Sequence, residues 1–178
     1  MIDFPGRILA FGVPKRGDIA VFKKPTDTDI DYIKRVIGLP GDRIQMKDDV
    51  LYINGAPVKR ERIEDFVDAD GEGHGRPVTQ YIETLPEGVQ YRMLDLTPNG
   101  DADNTEEYVV PPGHYFMMGD NRDNSQDSRF QNEVGYVPIE NFVGRADIIF
   151  FSISPEAKLW EVWMWPFEIR WSRFFNLL

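Results

Sequence analysis

The stretch YIKRVIGLPGDRIQMKDDVLYINGAPVK (Tyr32–Lys59) decides the fold. Tyr32–Ile37 is a β-branched and aromatic run closed by Gly38-Leu39-Pro40-Gly41, a strong turn cluster. Arg43–Lys47 and Val50–Asn54 follow at short spacing. Asn54-Gly55 then separates VLYI from APVK and predicts a two-residue hairpin turn, because both positions accept positive φ. Outward from this stretch the pattern repeats. Asp18–Phe22, Tyr81–Thr84, Gln90–Leu96, Tyr108–Val110, Tyr115–Met118 and Asp147–Ser152 all read as strands, with almost no 3.6-residue periodicity between them. The expected fold is therefore mainly β.

The tail differs. Leu159–Leu178 (LWEVWMWPFEIRWSRFFNLL) holds seven aromatics in twenty residues, and after Pro166 the side chains of Phe167, Trp171, Phe174 and Leu178 fall on one helical stripe. The stripe fits a short C-terminal helix closing the core. With Arg170 and Arg173 beside it, it equally fits a surface for the headgroup layer of a membrane.

Composition narrows the function classes. The 178 residues carry 30 acids against 20 bases, a formal net charge of −10, which excludes a non-specific nucleic-acid binder. The charge is concentrated. Residues 1–60 have 8 acids and 11 bases, 61–110 have 13 and 3, and 111–178 have 9 and 6, so the middle segment accounts for the whole excess. Such an acidic block marks a solvated lobe. Within it, Asp68–Glu72 and Asp101–Asp103 lack calcium-loop spacing and read as polar turns, and no metal or cofactor is expected. The absence of cysteine removes disulfides, thiolate metal sites and cysteine nucleophiles. No run of about 18 apolar residues is present to span a membrane, and the start, MIDFPGRILAFGVPKRG, lacks the pattern of a secretory signal.

Three features could carry chemistry. His74 and His114 have no metal-ligand spacing, and no nucleophile-elbow pattern supports a triad on His114. Lys34 sits beside Arg35 in an otherwise apolar strand. Tyr32, Lys34 and Val36 share one face, and Ile33, Arg35 and Ile37 the other. That pattern fits an edge strand with both cations at the rim. It also fits one cation facing inward, where lost hydration would lower a lysine's pKa and make it a general base. Gly119–Arg129 (GDNRDNSQDSR) follows an apolar run and contains no apolar side chain. It reads either as a solvated loop or as a self-satisfied network of Asp–Arg pairs and Asx turns that holds one backbone shape.

Taken together, Arg16–Phe22 (RGDIAVF), Asp31–Asp42 (DYIKRVIGLPGD) and Gly119–Arg129 resemble the bacterial type I signal peptidase (leader peptidase) family, in its proteobacterial form. Gly135-Tyr136-Val137-Pro138 and Val143-Gly144-Arg145-Ala146 follow in the same order, and the likeness covers roughly Lys15 to Ser152. The resemblance implies a coiled antiparallel β-sheet catalytic core, residues 1–60 and 108–158, with an inserted second lobe at 61–107 and the tail at 159–178. It implies a serine endopeptidase that cleaves signal peptides from exported preproteins. Lys34 would be the general base and Ser125 the residue that orients it. Asp127 and Arg129 would be the ion pair beneath the site. Asp120, Asn121 and Arg122 would be structural positions of the loop, with Asp120 pairing Arg35. Tyr32 and Ile33 would line the substrate pocket, for signal peptides with small side chains before the cut. The location would be the periplasmic face of the bacterial inner membrane.

One departure stands out. The family's nucleophile lies in an S-M-x-P-T-like block upstream of RGD, behind a transmembrane anchor, whereas no serine here precedes Ser125. Ser125, Ser128, Ser152, Ser154 and Ser172 lie in no such block. The expectation is a chain without nucleophile or anchor, inactive alone. The competing reading is a non-catalytic β domain derived from the family that binds peptides or membrane surfaces. A self-cleaving repressor-type Ser/Lys peptidase fits less well, because its lysine block lacks the GLPGD continuation.

Overall fold

The structure, a computed structural model, describes residues 12–68, 76–97 and 100–146. The expected strand at Asp147–Ser152, the C-terminal helix and aromatic stripe, His74, Ser152, Ser154 and Ser172 lie outside the described residues.

The described residues are built from antiparallel strands, as the short runs and turn clusters predict. A first sheet has the order β12-β11-β2-β1-β13, with β1 at Ile19–Lys24, β2 at Asp27–Gly38, β11 at His114–Met118, β12 at Val137–Pro138 and β13 at Phe142–Arg145. A second sheet has the order β10-β3-β4-β5, from Tyr108–Val109, Arg43–Lys47, Val50–Ile53 and Ala56–Pro57. In the third, β8 (Arg76–Thr84) pairs with β6 (Lys59–Arg62), β7 (Phe66–Asp68) and β9 (Gln90–Asp95).

The Asn54-Gly55 turn forms as read, with φ of 54° and 80° joining β4 to β5. Asp48 and Asp49 make a second positive-φ turn, between β3 and β4. β2 begins at Asp27, five residues before its apolar run, because its charged start pairs with the two lysines of β1: Lys23 lies opposite Asp31 and bonds it at 2.9 Å, and Lys24 lies opposite Asp27.

β2 is central, not an edge. It lies between β1 and β11, and each of its faces meets a different core. Val36 and the flanking Tyr32 belong to a cluster with Ala20, Phe22, Tyr115, Met117, Val134, Val137 and Phe142. Ile37 belongs to another, with Ile44, Met46, Leu51, Leu85, Met93, Phe116 and Met118. Burying each of these large side chains contributes about 1.5–3 kcal/mol before ordering costs, so the middle of β2 is pinned from both sides. Its end is fixed by Arg16, whose Nη1 donates to the Ile37 carbonyl at 2.6 Å and to Asp42 at 2.9 Å. The RGD and GLPGD motifs are thus joined by one buried ion pair.

Candidate active site

A strand pinned on both faces leaves its two cations no route to the rim, and each finds a different setting. Arg35 is buried. It forks onto Asp120 at 2.9 and 2.7 Å, donates to the Gly17 carbonyl at 2.8 Å and stacks 4.3 Å from the centre of the Tyr91 ring. Lys34, on the other face, is partly buried. Opposite it on β1 is the small Ala20, and its ammonium lies 5.6 Å from the Tyr32 ring centre. Its Nζ is 2.8 Å from Ser125 Oγ, a contact between residues 91 apart in the chain. Burial pulls the Lys34 pKa below the ordinary lysine value; Arg129 adds to that, and the carboxylates of Asp127 and Asp120 oppose it.

Ser125 reaches Lys34 because of the loop that follows β11. Met117 and Ser128 are tied by two hydrogen bonds, Ser128 N to the Met117 carbonyl and Met117 N to Ser128 Oγ, both 2.9 Å. Inside this closure Asp127 accepts the Gly119 N–H at 3.0 Å and holds Arg129 bidentately, Nε and Nη2 both at 2.9 Å. Both side chains of that pair are essentially inaccessible to water. Gly119 lies directly against Ser125. A Cβ there would sit 2.1 Å from Ser125 Oγ and 2.5 Å from its Cβ, so only glycine admits the serine at this place.

The loop is not self-satisfied. Asn121 caps the Asn124 N–H at 3.2 Å within it, but Arg122 leaves it for Glu83 of β8, and the Tyr91 hydroxyl on β9 donates to the same carboxylate while accepting from Arg122 at 2.9 Å. Asp123 accepts the Leu96 and Thr97 N–H groups at 2.7 and 2.9 Å. Leu94 N donates to the Asp120 carbonyl at 2.8 Å and Arg122 N to the Leu94 carbonyl at 3.0 Å. Four acceptors or donors of the loop are therefore met by the third sheet and the chain leaving it.

The predicted residues divide accordingly. Lys34, Ser125, Asp127 and Arg129 come together on one side of the first sheet, and Arg35 with Asp120 on the other. Tyr32 shares the Lys34 side, and its hydroxyl bonds Gln126. Ile33 is 55% exposed and projects from the opposite side of β2. Ser125 also lines an open depression of about 270 Å³ with Asp123, Asn124, Gln126, Phe130 and Glu133. The His114 ring nitrogen Nδ1 lies 2.9 Å from the Pro112 carbonyl near it in sequence. Sequence reasoning missed Glu83, Tyr91 and the steric need for Gly119. For Gly119 the signal was a glycine at the end of a buried strand; Glu83 and Tyr91 carry no local signal.

Residues 6–151 match the signal peptidase, peptidase S26 family, and the chain belongs to that family. Signal peptidase I of Rickettsia typhi is 45% identical over 155 residues, covering 84% of this chain and 56% of that protein. Signal peptidase I of Rickettsia bellii is 40% identical over 190 residues, covering 98% of this chain and 63% of that protein. A crystal structure of a signal peptidase I from Enterococcus faecalis V583 is 28% identical, covers 76% of this chain and 98% of its own, and has a TM-score of 0.45. This chain spans about six-tenths of the length of the curated relatives it matches. Among the described residues no helix is long and apolar enough to cross a membrane.

Proposed function

We propose that this chain supplies the lysine half of a Ser/Lys endopeptidase site that removes signal peptides from exported preproteins. The observation that carries this reading is the 2.8 Å contact between Lys34 Nζ and Ser125 Oγ, in a setting that lowers the lysine's pKa. A neutral Lys34 amine takes the proton from a nucleophilic serine hydroxyl as that oxygen attacks the scissile carbonyl, and returns it to the departing amine. Ser125 Oγ accepts one N–H of the amine and so leaves its lone pair aimed at the nucleophile. Asp127 with Arg129, and Asp120 with Arg35, hold the two flanks of the loop and strand. The nucleophile in this mechanism is a serine of an S-M-x-P-T-like block, and no serine precedes Ser125 in these 178 residues. Its backbone N–H also belongs to the oxyanion hole. Alone, the chain is inactive.

The same reading assigns residues 1–60 and 108–158 to the catalytic core, 61–107 to a second lobe, and Tyr32, on the Lys34 side of β2, to a wall that meets small side chains before the cut. It sets the site at the outer face of a bacterial inner membrane, with the tail from 159 against the lipid surface.

The test is reconstitution. Joining a serine-bearing upstream segment to this chain gives cleavage of a preprotein, and Lys34→Ala abolishes it while the chain alone cleaves nothing. Cleavage that survives Lys34→Ala in the joined protein overturns the mechanism.

A further inference from the structure

The loop that presents Ser125 is anchored by a charge that comes from elsewhere. Glu83 on β8 is completely buried, as is Arg122, and the side chains of both are about 1% accessible. Tyr91 on β9 completes the group, its hydroxyl bonded to both. Burial with Glu83 alongside holds the Tyr91 hydroxyl well above its usual pKa, so it stays a neutral donor. Taking two ions out of water costs about as much as their attraction returns, so such a pair adds little net stability, and its effect is to fix geometry.

The geometry it fixes leads to the site in short steps. The Arg122 carbonyl accepts Arg129 Nη2 at 2.5 Å. Arg129 holds Asp127, Asp127 holds the Gly119 N–H, and Gly119 is the surface on which Ser125 rests. Two backbone bonds run parallel to this route, from Leu94 N to the Asp120 carbonyl and from Arg122 N to the Leu94 carbonyl, and fix the same loop to the end of β9. Arg35, stacked on Tyr91, connects the same group to β2 itself, one residue from Lys34.

We propose that Glu83, with Tyr91, is a positioning residue for the Lys34–Ser125 pair: the third sheet sets the place of Ser125, and through it the hydration and basicity of Lys34, by gripping Arg122. This deepens the proposed function and rests on it. When Arg122 loses its carboxylate, the loop from Asp120 to Arg129 loses its anchor on β8, Ser125 withdraws, water reaches Lys34 and its pKa climbs.

The experiment is an NMR titration of the lysine ε-carbons of the 178-residue chain, with Lys34 assigned from the spectrum of Lys34→Arg. The unmodified chain, Glu83→Gln and Tyr91→Phe are compared, each checked for folding by its amide spectrum and melting temperature. A Lys34 midpoint that rises by about one pH unit in a folded Glu83→Gln chain, and by less in Tyr91→Phe, supports the proposal. Should Glu83→Gln not fold, Tyr91→Phe carries the test, because it removes one hydroxyl and leaves the ion pair. A folded variant that melts lower but keeps the Lys34 midpoint of the unmodified chain overturns the proposal and reduces Glu83 to a structural role. An ordinary Lys34 midpoint in the unmodified chain is a different failure: it removes the base reading itself, and this inference with it.

Discussion

Gly119→Ala tests the contact on which Ser125 depends. The added Cβ would lie 2.1 Å from Ser125 Oγ, while ordinary van der Waals contact begins near 3.4 Å, so the hydroxyl must retreat by about 1.3 Å, the difference of those two distances. A retreat of that size carries the 2.8 Å bond to Lys34 out of hydrogen-bonding range unless the lysine follows. The alternative is for the backbone at 119 to move, which stretches the Gly119 N–H bond to Asp127. Either response is overpacking in a rigid place and costs about 1–3 kcal/mol. For a chain of this size that lowers the melting temperature by about 2–12 °C. Urea unfolding followed by circular dichroism gives the free energy, and a thermal scan gives the second reading. A Gly119→Ala chain as stable as the parent, with Ser125 still bonded to Lys34 in its crystal structure, refutes the steric argument.

Asp127→Ala removes the acceptor of Gly119 N and leaves the Arg129 guanidinium buried without its counter-charge, so a loss of about 3–5 kcal/mol is expected in urea unfolding. A loss below about 1 kcal/mol would show that the pair behaves like an exposed one. Asp95 is pushed up to about 6 by burial, by the neighbouring Asp49 carboxylate, and then by Asp123 and Asp103. Its folded pKa lies above the unfolded 3.8, so the folded state binds the extra proton and stability falls as pH rises from about 4 to above 6. Asp95→Asn flattens that fall and stabilises the chain at pH 7, which a melting series across pH will read; an unchanged slope contradicts the assignment. Gly55→Ala places an L side chain at φ 80° and costs about 1–2 kcal/mol, whereas a neutral outcome would show that the hairpin re-forms with another turn.

What the sequence displays is what is local. Asn54-Gly55 is legible because its dipeptide alone demands positive φ, and the alternation of Tyr32 to Ile37 correctly separates Lys34 from Arg35 onto opposite faces. The Asp48-Asp49 turn is hidden, since two aspartates tolerate φ of 47° and 63° but announce nothing as glycine does. The central place of β2 is hidden too: paired cations in an apolar run suit a rim, and the partners that receive them inside, Asp120 and Tyr91 for Arg35 and Ser125 for Lys34, come from far along the sequence. The polar block at Gly119–Arg129 is visible as an ordered network, yet its anchors are not. Glu83 and Tyr91 meet Arg122 across 39 and 31 residues, a pairing that no window of sequence contains.

The general-base role proposed for Lys34 requires that burial beside Ser125 lower its pKa. Direct titration of Lys34 in the unmodified chain measures this without any cleavage assay. The expected midpoint lies below the ordinary 10.5. A midpoint at or above 10.5 contradicts it.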